Sequence, residues 1–189
     1  MNSFIEPKYI ILDVSTDLQL IILSTNNKII DIKKSVDKQN FVSGINSLIH
    51  QILNQNNLGL KDLSGVIVGI GPGSYIGSRL AVLTAKFLSL ELSIPLFQIS
   101  SLLLLSSGFS ENIITPKIYA KKNFFYSLSL EDDKIVLEEN IYENVFLNKF
   151  LNHFWLKADN FHLSISKIFR YMKKVDNIEL LMPNYYIHY

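Results

Sequence analysis

The sequence predicts an α/β protein of two small lobes with mixed sheets and packed helices, and three observations carry that prediction. Short β-branched runs alternate with amphipathic stretches over the first hundred residues. Their order reads β-β-β-α-β-α, and a second mixed α/β region of different texture follows. A soft boundary falls near residue 100, dividing an N-terminal lobe (1–100) from a smaller C-terminal lobe (101–189). No low-complexity linker marks it, so the lobes are expected to pack closely.

Taken in order, residues 9–15 (YIILDVS) form a continuous apolar run suited to a central strand covered on both faces. LQLIILST and KIIDIKKS follow as strands, joined at Asn26-Asn27, whose residues tolerate the positive φ of a hairpin turn. Residues 40–55 predict a helix, because Phe41, Val42, Ile45, Leu48, Ile49, Ile52 and Leu53 recur with a 3.6-residue period. Residues 64–70 (SGVIVGI) read as another buried strand, leading into the glycine stretch and a helix over 74–92. A short strand, PLFQI, precedes a third helix at Ser100–Ser107. KIYAKKNFFYSLSL and KIVLEEN flank Glu131-Asp132-Asp133 as a β-hairpin. IYENVFLNKFLNHF and SISKIFRYMKKV read as helices, and NIELLMP as a final strand.

Composition narrows the function classes. Hydrophobic residues make up 48% of the chain, enough for a substantial core, and the formal charge of +1 argues against a strongly electrostatic nucleic-acid binder acting alone. The absence of cysteine excludes disulfides, thiolate zinc sites and a cysteine nucleophile. The N-terminus lacks a basic-then-apolar signal pattern, and SIPLFQISSLLLLSSGF is too interrupted to span a bilayer, so a soluble cytoplasmic protein without membrane contact is expected.

The stretch GIGPGSYIGSR (69–79) poses the central question. A helix N-terminus with free N–H groups favours an anion. Yet Gly77 is followed by Ser78-Arg79 rather than the Lys-Ser/Thr of a P-loop, and the glycine spacing is wrong for a dinucleotide fingerprint. The other reading is structural: glycines permit a tight turn and close helix approach, Pro72 stiffens it, and Ser74 is a natural N-cap. The helix it launches is apolar on two sides. Ile76, Leu80, Leu83, Phe87 and Leu90 cover one side; Ala81, Ala85, Leu88 and Leu92 cover the other. Either its own lobe sandwiches it or a partner covers one side.

Asp13 ends the first strand, where it can cap the turn with Ser15 and Thr16. Arg79 and Lys86 share one helix face, open to solvent or to an anionic partner. Tyr119, Lys121, Lys122, Phe124, Phe125 and Tyr126 form a basic–aromatic run that reads as nucleic-acid contact or, in an alternating strand, as core. His50, His153, His162 and His188 have no paired spacing, so no metal site is expected, and no G-x-S-x-G elbow occurs.

Leu12-Asp13-Val14-Ser15-Thr16, Gly71-Pro72-Gly73-Ser74-Tyr75-Ile76-Gly77-Ser78-Arg79 and Ile99-Ser100-Ser101-Leu102, in that order across residues 8–105, resemble the TsaB (YeaZ) family. Beyond them the match thins. Tyr119-Ala120-Lys121 stands where the family has Asp-Ala-Arg, although Tyr126 fits, and the tail keeps Pro183 and Tyr185 but lacks the final arginine. The resemblance implies an actin-like ATPase, ribonuclease-H-like fold with a shortened second lobe. It implies a non-catalytic scaffold that pairs with TsaD, and with TsaE, in making threonylcarbamoyladenosine in tRNA. TsaD would hold the metal and transfer the threonylcarbamoyl group. The family's pairing helices correspond to 40–55 and 74–92, giving Ile45, Ile49, Ile76, Leu80, Ala81, Leu83, Thr84, Ala85 and Leu88 as expected partner-binding residues. Asp13, Gly73, Ser74, Gly77 and Arg79 form a candidate residual anion or nucleotide site. No catalytic residue, metal or cofactor is expected on this chain itself, with ATP at a subunit interface and a homodimer in the absence of a partner both left open. The competing reading is a small actin-like ATP-dependent kinase or ATPase using the glycine stretch and Asp13, which stands where actin-like ATPases place a magnesium-facing acid.

Overall fold

The computed structural model describes residues 6–36 and 41–186; Asn40, His188 and Tyr189, used above, lie outside the described residues, as do the side chains of Phe41 and Val42. Sixteen elements follow: β1 (Lys8–Asp13), β2 (Gln19–Ser24), β3 (Ile29–Ser35), α1 (Phe41–Gln55), a 3-10 turn (Leu60–Asp62), β4 (Leu63–Gly69), α2 (Tyr75–Leu92), β5 (Leu96–Ile99), α3 (Ser101–Ser106), β6 (Ile113–Lys121), β7 (Phe124–Glu131), β8 (Lys134–Glu143), α4 (Asn144–Leu147), β9 (His153–Trp155), α5 (Ile165–Tyr171) and β10 (Lys173–Lys174).

The first sheet has six strands in the order β10-β5-β4-β1-β2-β3. β1 pairs antiparallel with β2 and parallel with β4, which pairs parallel with β5. The period-2 geometry of β1 sorts its apolar run into two cores. Ile10 and Leu12 pack with Val66, Val68, α1 and α2; Ile11 packs with Ile67, α3 and the second sheet. All three side chains are fully buried, each contributing roughly 1.5–3 kcal/mol of transfer free energy. At the β2–β3 turn, the Thr25 hydroxyl accepts from the Asn27 and Lys28 N–H groups.

The second sheet has the order β8-β7-β6-β9, with β6 and β9 parallel. Ile114, Ile118, Leu128 and Leu130 turn inward onto the core shared with β1 and α3. No helix among the described residues is long and apolar enough to cross a membrane.

Three expectations are corrected. KIYAKKNFFYSLSL is two strands rather than one, broken at Lys122-Asn123, where Lys122 takes φ +41°. IYENVFLNKFLNHF is not a helix: β8 continues through it to Glu143 by pairing with β7, leaving only the single turn α4 before β9. NIELLMP is not a strand. The Asn177 carboxamide oxygen accepts from the Glu179 and Leu180 N–H groups, bending the chain into a turn. The closing strand is β10, which pairs with β5, so the tail returns across residue 100 to the first lobe. Val175, Ile178 and Leu181 then pack beside α1 and α2.

Candidate functional site

β1 and β4 both end at the glycine turn, and their ends are tied together there. The Asp13 carboxylate is buried; Oδ1 accepts from the Ser15 N–H at 3.0 Å and hydroxyl at 2.7 Å, and Oδ2 from the Ser101 hydroxyl at 2.5 Å. Ser101 Oγ in turn accepts from the Gly71 N–H at 3.0 Å. Burial pushes the Asp13 carboxyl above the ordinary range, while the bonds from Ser101 and Ser15 pull it back. A carboxylate so enclosed is a clasp between β1, the turn and α3. It does not face an open cleft.

The turn is equally close-packed. A Cβ at Gly73 would lie 2.1 Å from the Ser15 carbonyl oxygen, and one at Gly77 would lie 1.9 Å from that of Val14. The Ser74 N–H donates to Ser15 O at 2.6 Å, and the Gly77 N–H is capped by Ser74 Oγ at 3.1 Å. Backbone carbonyls therefore fill the side of both glycines where a side chain would stand, packing the turn against the end of β1. Arg79 is also committed elsewhere: its Nε donates to the Tyr185 hydroxyl at 3.0 Å, and its guanidinium lies 3.9 Å from the Tyr75 ring centre. The residues of the candidate anion site thus do not converge on one open cleft: Asp13 is buried, Gly73 and Gly77 are packed on backbone, and Arg79 is bonded to Tyr185.

Beyond this turn α2 carries two unlike faces. Gly77, Ala81, Ala85 and Ser89 recur every fourth residue and are buried with Val82 and Leu88 against the helix's own sheet. Their small side chains let the helix lie close to β4. The bulky residues point the other way. Ile76, Leu83, Phe87 and Leu90 are 65%, 66%, 68% and 58% exposed, a continuous apolar ridge. Beside it, between α1 and α2, runs a groove of about 530 Å³ lined by Asn46, Ile49, His50, Leu60, Leu80, Thr84 and Leu88 together with Leu83 and Phe87 of the ridge. On the opposite flank lies the returning tail, held by Lys86 Nζ on the Glu179 carbonyl at 2.8 Å and by Tyr185 on Arg79.

The expected partner-binding residues therefore divide. Ile76 and Leu83 are exposed, Leu80, Leu83 and Thr84 line the groove, and Ile49 and Leu88, though largely buried, form part of its wall. Ile45, Ala81 and Ala85 are corrected to core, because they are fully buried toward the first sheet. The four-residue ladder of small side chains was the available signal, since small residues mark the side that approaches its own sheet.

One polar cluster was not foreseen. Glu139 of β8 accepts from the Ser100 hydroxyl, and its Oε1 accepts from Asn184 at 2.8 Å and from the Tyr186 hydroxyl at 3.0 Å. Burial raises the Glu139 carboxyl and pushes the Tyr186 phenol up to about 12. The cluster ties β8, the start of α3 and the tail into one joint. Its members are about 40 residues apart in sequence, so no local pattern announces it.

Comparison with known proteins follows the same lines. The model of the tRNA N6-adenosine threonylcarbamoyltransferase (TsaD) family matches residues 32–145. The tRNA threonylcarbamoyladenosine biosynthesis protein TsaB of Bacillus subtilis (strain 168) is 36% identical over 81 residues, 42% of this chain and 35% of that protein. TsaB of Buchnera aphidicola subsp. Baizongia pistaciae (strain Bp) is 28% identical over 109 residues, 57% of this chain and 49% of that protein. The chain thus spans half or less of the curated relatives it matches. Among solved structures, YeaZ from Pseudomonas aeruginosa superposes with a TM-score of 0.71 at 16% identity, covering 95% of this chain and 99% of that one. A protein described as similar to the peptidase YeaZ from Pseudomonas aeruginosa gives 0.73 at 15%, covering 96% and 100%. These likenesses establish the actin-like, ribonuclease-H-like fold.

Proposed function

The chain belongs to the family that the TsaD model describes, in its TsaB (YeaZ) branch, and from that membership we propose that it is a non-catalytic scaffold of the assembly that makes threonylcarbamoyladenosine in tRNA. In this reading a TsaD subunit docks on the ridge of α2 and the groove beside α1. TsaE and the tRNA complete this cytoplasmic assembly. Any ATP would sit at a subunit interface with the partner completing its site.

The observation that carries the proposal is the two-sided helix. Four bulky apolar residues stand in a row on α2, each more than half exposed, while the other side is already packed on its own sheet. Scattered exposed leucines need no explanation, but a contiguous ridge beside an apolar groove fits a helix-packing partner. The clasped Asp13 and the closed glycine turn support assigning the chemistry to the partner rather than to this chain.

Calorimetric titration of the chain with the TsaD subunit of the same cell tests this. Phe87→Arg should weaken the complex by about thirtyfold or more, as expected for a central anchor, while Val145→Arg, on an exposed residue of the second lobe, should leave it unchanged. Wild-type affinity in the Phe87→Arg chain would overturn the assignment of the surface. Absence of any complex with the wild-type chain would overturn the scaffold reading.

A further inference from the structure

The outer face of the second sheet carries an aromatic platform that the docking surface does not use. Lys117 of β6 lies opposite Trp155 of β9, and Tyr119 lies opposite Phe125 of β7, so these four side chains share one face. Phe125 is buried between its neighbours, 6.0 Å edge-on from Tyr119 and 5.1 Å from Trp155. Beneath them Lys117 Nζ lies 5.1 Å from the Phe125 ring centre and is held by Asn144 Oδ1 at 3.1 Å and His153 Nδ1 at 3.3 Å. The floor is therefore fixed, while Tyr119 and Trp155 stand 58% and 50% exposed on either side.

These rings face a notch of about 290 Å³ whose far wall is Ser15, Thr16 and Ser74 of the first lobe. That volume lies at the lower limit of small-ligand cavities, suited to a single ring system rather than a whole nucleotide chain. Thr16 Oγ1 accepts from the Leu18 N–H and Ser74 Oγ from the Gly77 N–H. Each hydroxyl keeps its hydrogen to donate to a ligand acceptor. The rim is cationic. Lys157 lines the notch two residues after Trp155, and Lys122 is exposed in the turn after β6, whereas Lys121 pairs with Phe124 on the other face of the sheet. Lys157 is paired to Asp159 at 3.6 Å, but both are well exposed, so a phosphate competes easily for it. Asp17, the carboxylate of the notch, is turned to the Ala158 N–H at 3.1 Å.

We infer that this face takes an unpaired base of single-stranded RNA. The base stacks on Trp155 and Tyr119, its edge accepts from the Thr16 and Ser74 hydroxyls, and Lys122 and Lys157 meet the flanking phosphates. Half-exposed rings on a rigid sheet are a sequence-tolerant base platform, and hydroxyl donors with a lysine rim complement RNA better than an apolar protein surface. The inference rests on the proposed tRNA-modifying role for the identity of the RNA, but its surface is separate from the α2 ridge.

Trp155 is the chain's single tryptophan and so reports on its own site. The full chain is titrated with a single-stranded RNA of about 8 nucleotides and with a duplex of the same sequence. Single strands should quench Trp155 emission and the duplex should not. Tyr119→Ala should weaken binding about tenfold. The slope of log K against log salt should be about −1.4, for two neutralised phosphates, and Lys122→Glu should reduce it by about 0.7. Trp155→Phe, followed by anisotropy of labelled RNA, should still bind, more weakly. No response to single strands at millimolar nucleotide, an equal response to duplex, or quenching by the TsaD subunit but not by RNA would each overturn the inference. The Phe87→Arg chain separates the two proposals, because it should lose TsaD and keep the RNA response.

Discussion

Gly77→Ala gives the sharpest test of what the glycine turn is for, because the two readings predict opposite signs. Gly77 sits in the first turn of α2, where Ala is favoured over Gly by up to about 1 kcal/mol in helix propensity. If the glycines kept space for a phosphate, an added methyl would meet open solvent and the protein would gain about that much. The structure puts the methyl 1.9 Å from the Val14 carbonyl oxygen, which is backbone and adjoins the clasped Asp13. Relief requires α2 to move outward by about 1.5 Å, straining the Ser74 N–H to Ser15 carbonyl bond. Overpacking of this kind costs about 1–3 kcal/mol and a strained hydrogen bond about 1 more, so the loss outweighs the propensity gain. A net destabilisation of about 2 kcal/mol should lower Tm by about 4–8 °C for a chain of this size, read by thermal circular dichroism. A Tm unchanged or raised would refute the close-packed turn.

Three further outcomes follow from the same geometry. Ser101→Ala removes a buried donor to Asp13 and the acceptor of the Gly71 N–H, and should cost about 2–4 kcal/mol in urea unfolding; a loss below about 0.5 kcal/mol would mean the clasp is idle. Ala81→Arg forces a charge into the fully buried face of α2 and should prevent soluble folding, whereas Phe87→Arg should change stability by no more than about 0.5 kcal/mol; equal effects in a folding assay would contradict the two-sided helix. Burial raises the folded pKa of Glu139 above 4.5, so the native state holds that proton more tightly than the unfolded chain, and its contribution is lost as pH rises from 4.5 through the folded value. Urea midpoints should therefore shift in favour of Glu139→Gln relative to wild type as pH rises through that window, and a pH-independent difference would sink the assignment.

Local chemistry made much of the first lobe legible. The β-branched run ending at Asp13 and the Ser74 N-cap act within a few residues, and the elements they mark are present; the β2–β3 turn is present too, but neither Asn26 nor Asn27 takes the expected positive φ and the Thr25 hydroxyl holds it. The second lobe was harder because non-local pairing decides it. Tyr142, Val145, Phe146 and Phe150 carry a helix-like spacing, yet Tyr142 pairs with Phe125 across β7 and β8, so the cross-strand ladder won. Lys122-Asn123 breaks an apolar run without Gly or Pro, which hid a hairpin. The candidate site was half legible: periodicity found both apolar sides of α2, but side-chain size, rather than hydrophobicity, tells which side meets its own sheet. The tail's return to β5 depends on contacts more than 70 residues apart and leaves no local trace.

The most direct test of the docking surface uses the absence of cysteine from the chain. Leu83→Cys on the α2 ridge and Val145→Cys on the second lobe each introduce a single exposed thiol, at positions 66% and 74% exposed, whose labelling rate can be followed with and without the TsaD subunit. Saturating TsaD should slow labelling at position 83 by at least about tenfold, as burial in a packed interface requires, and leave position 145 unchanged. A complex that forms while position 83 labels at its free rate would contradict the α2 ridge as the docking surface.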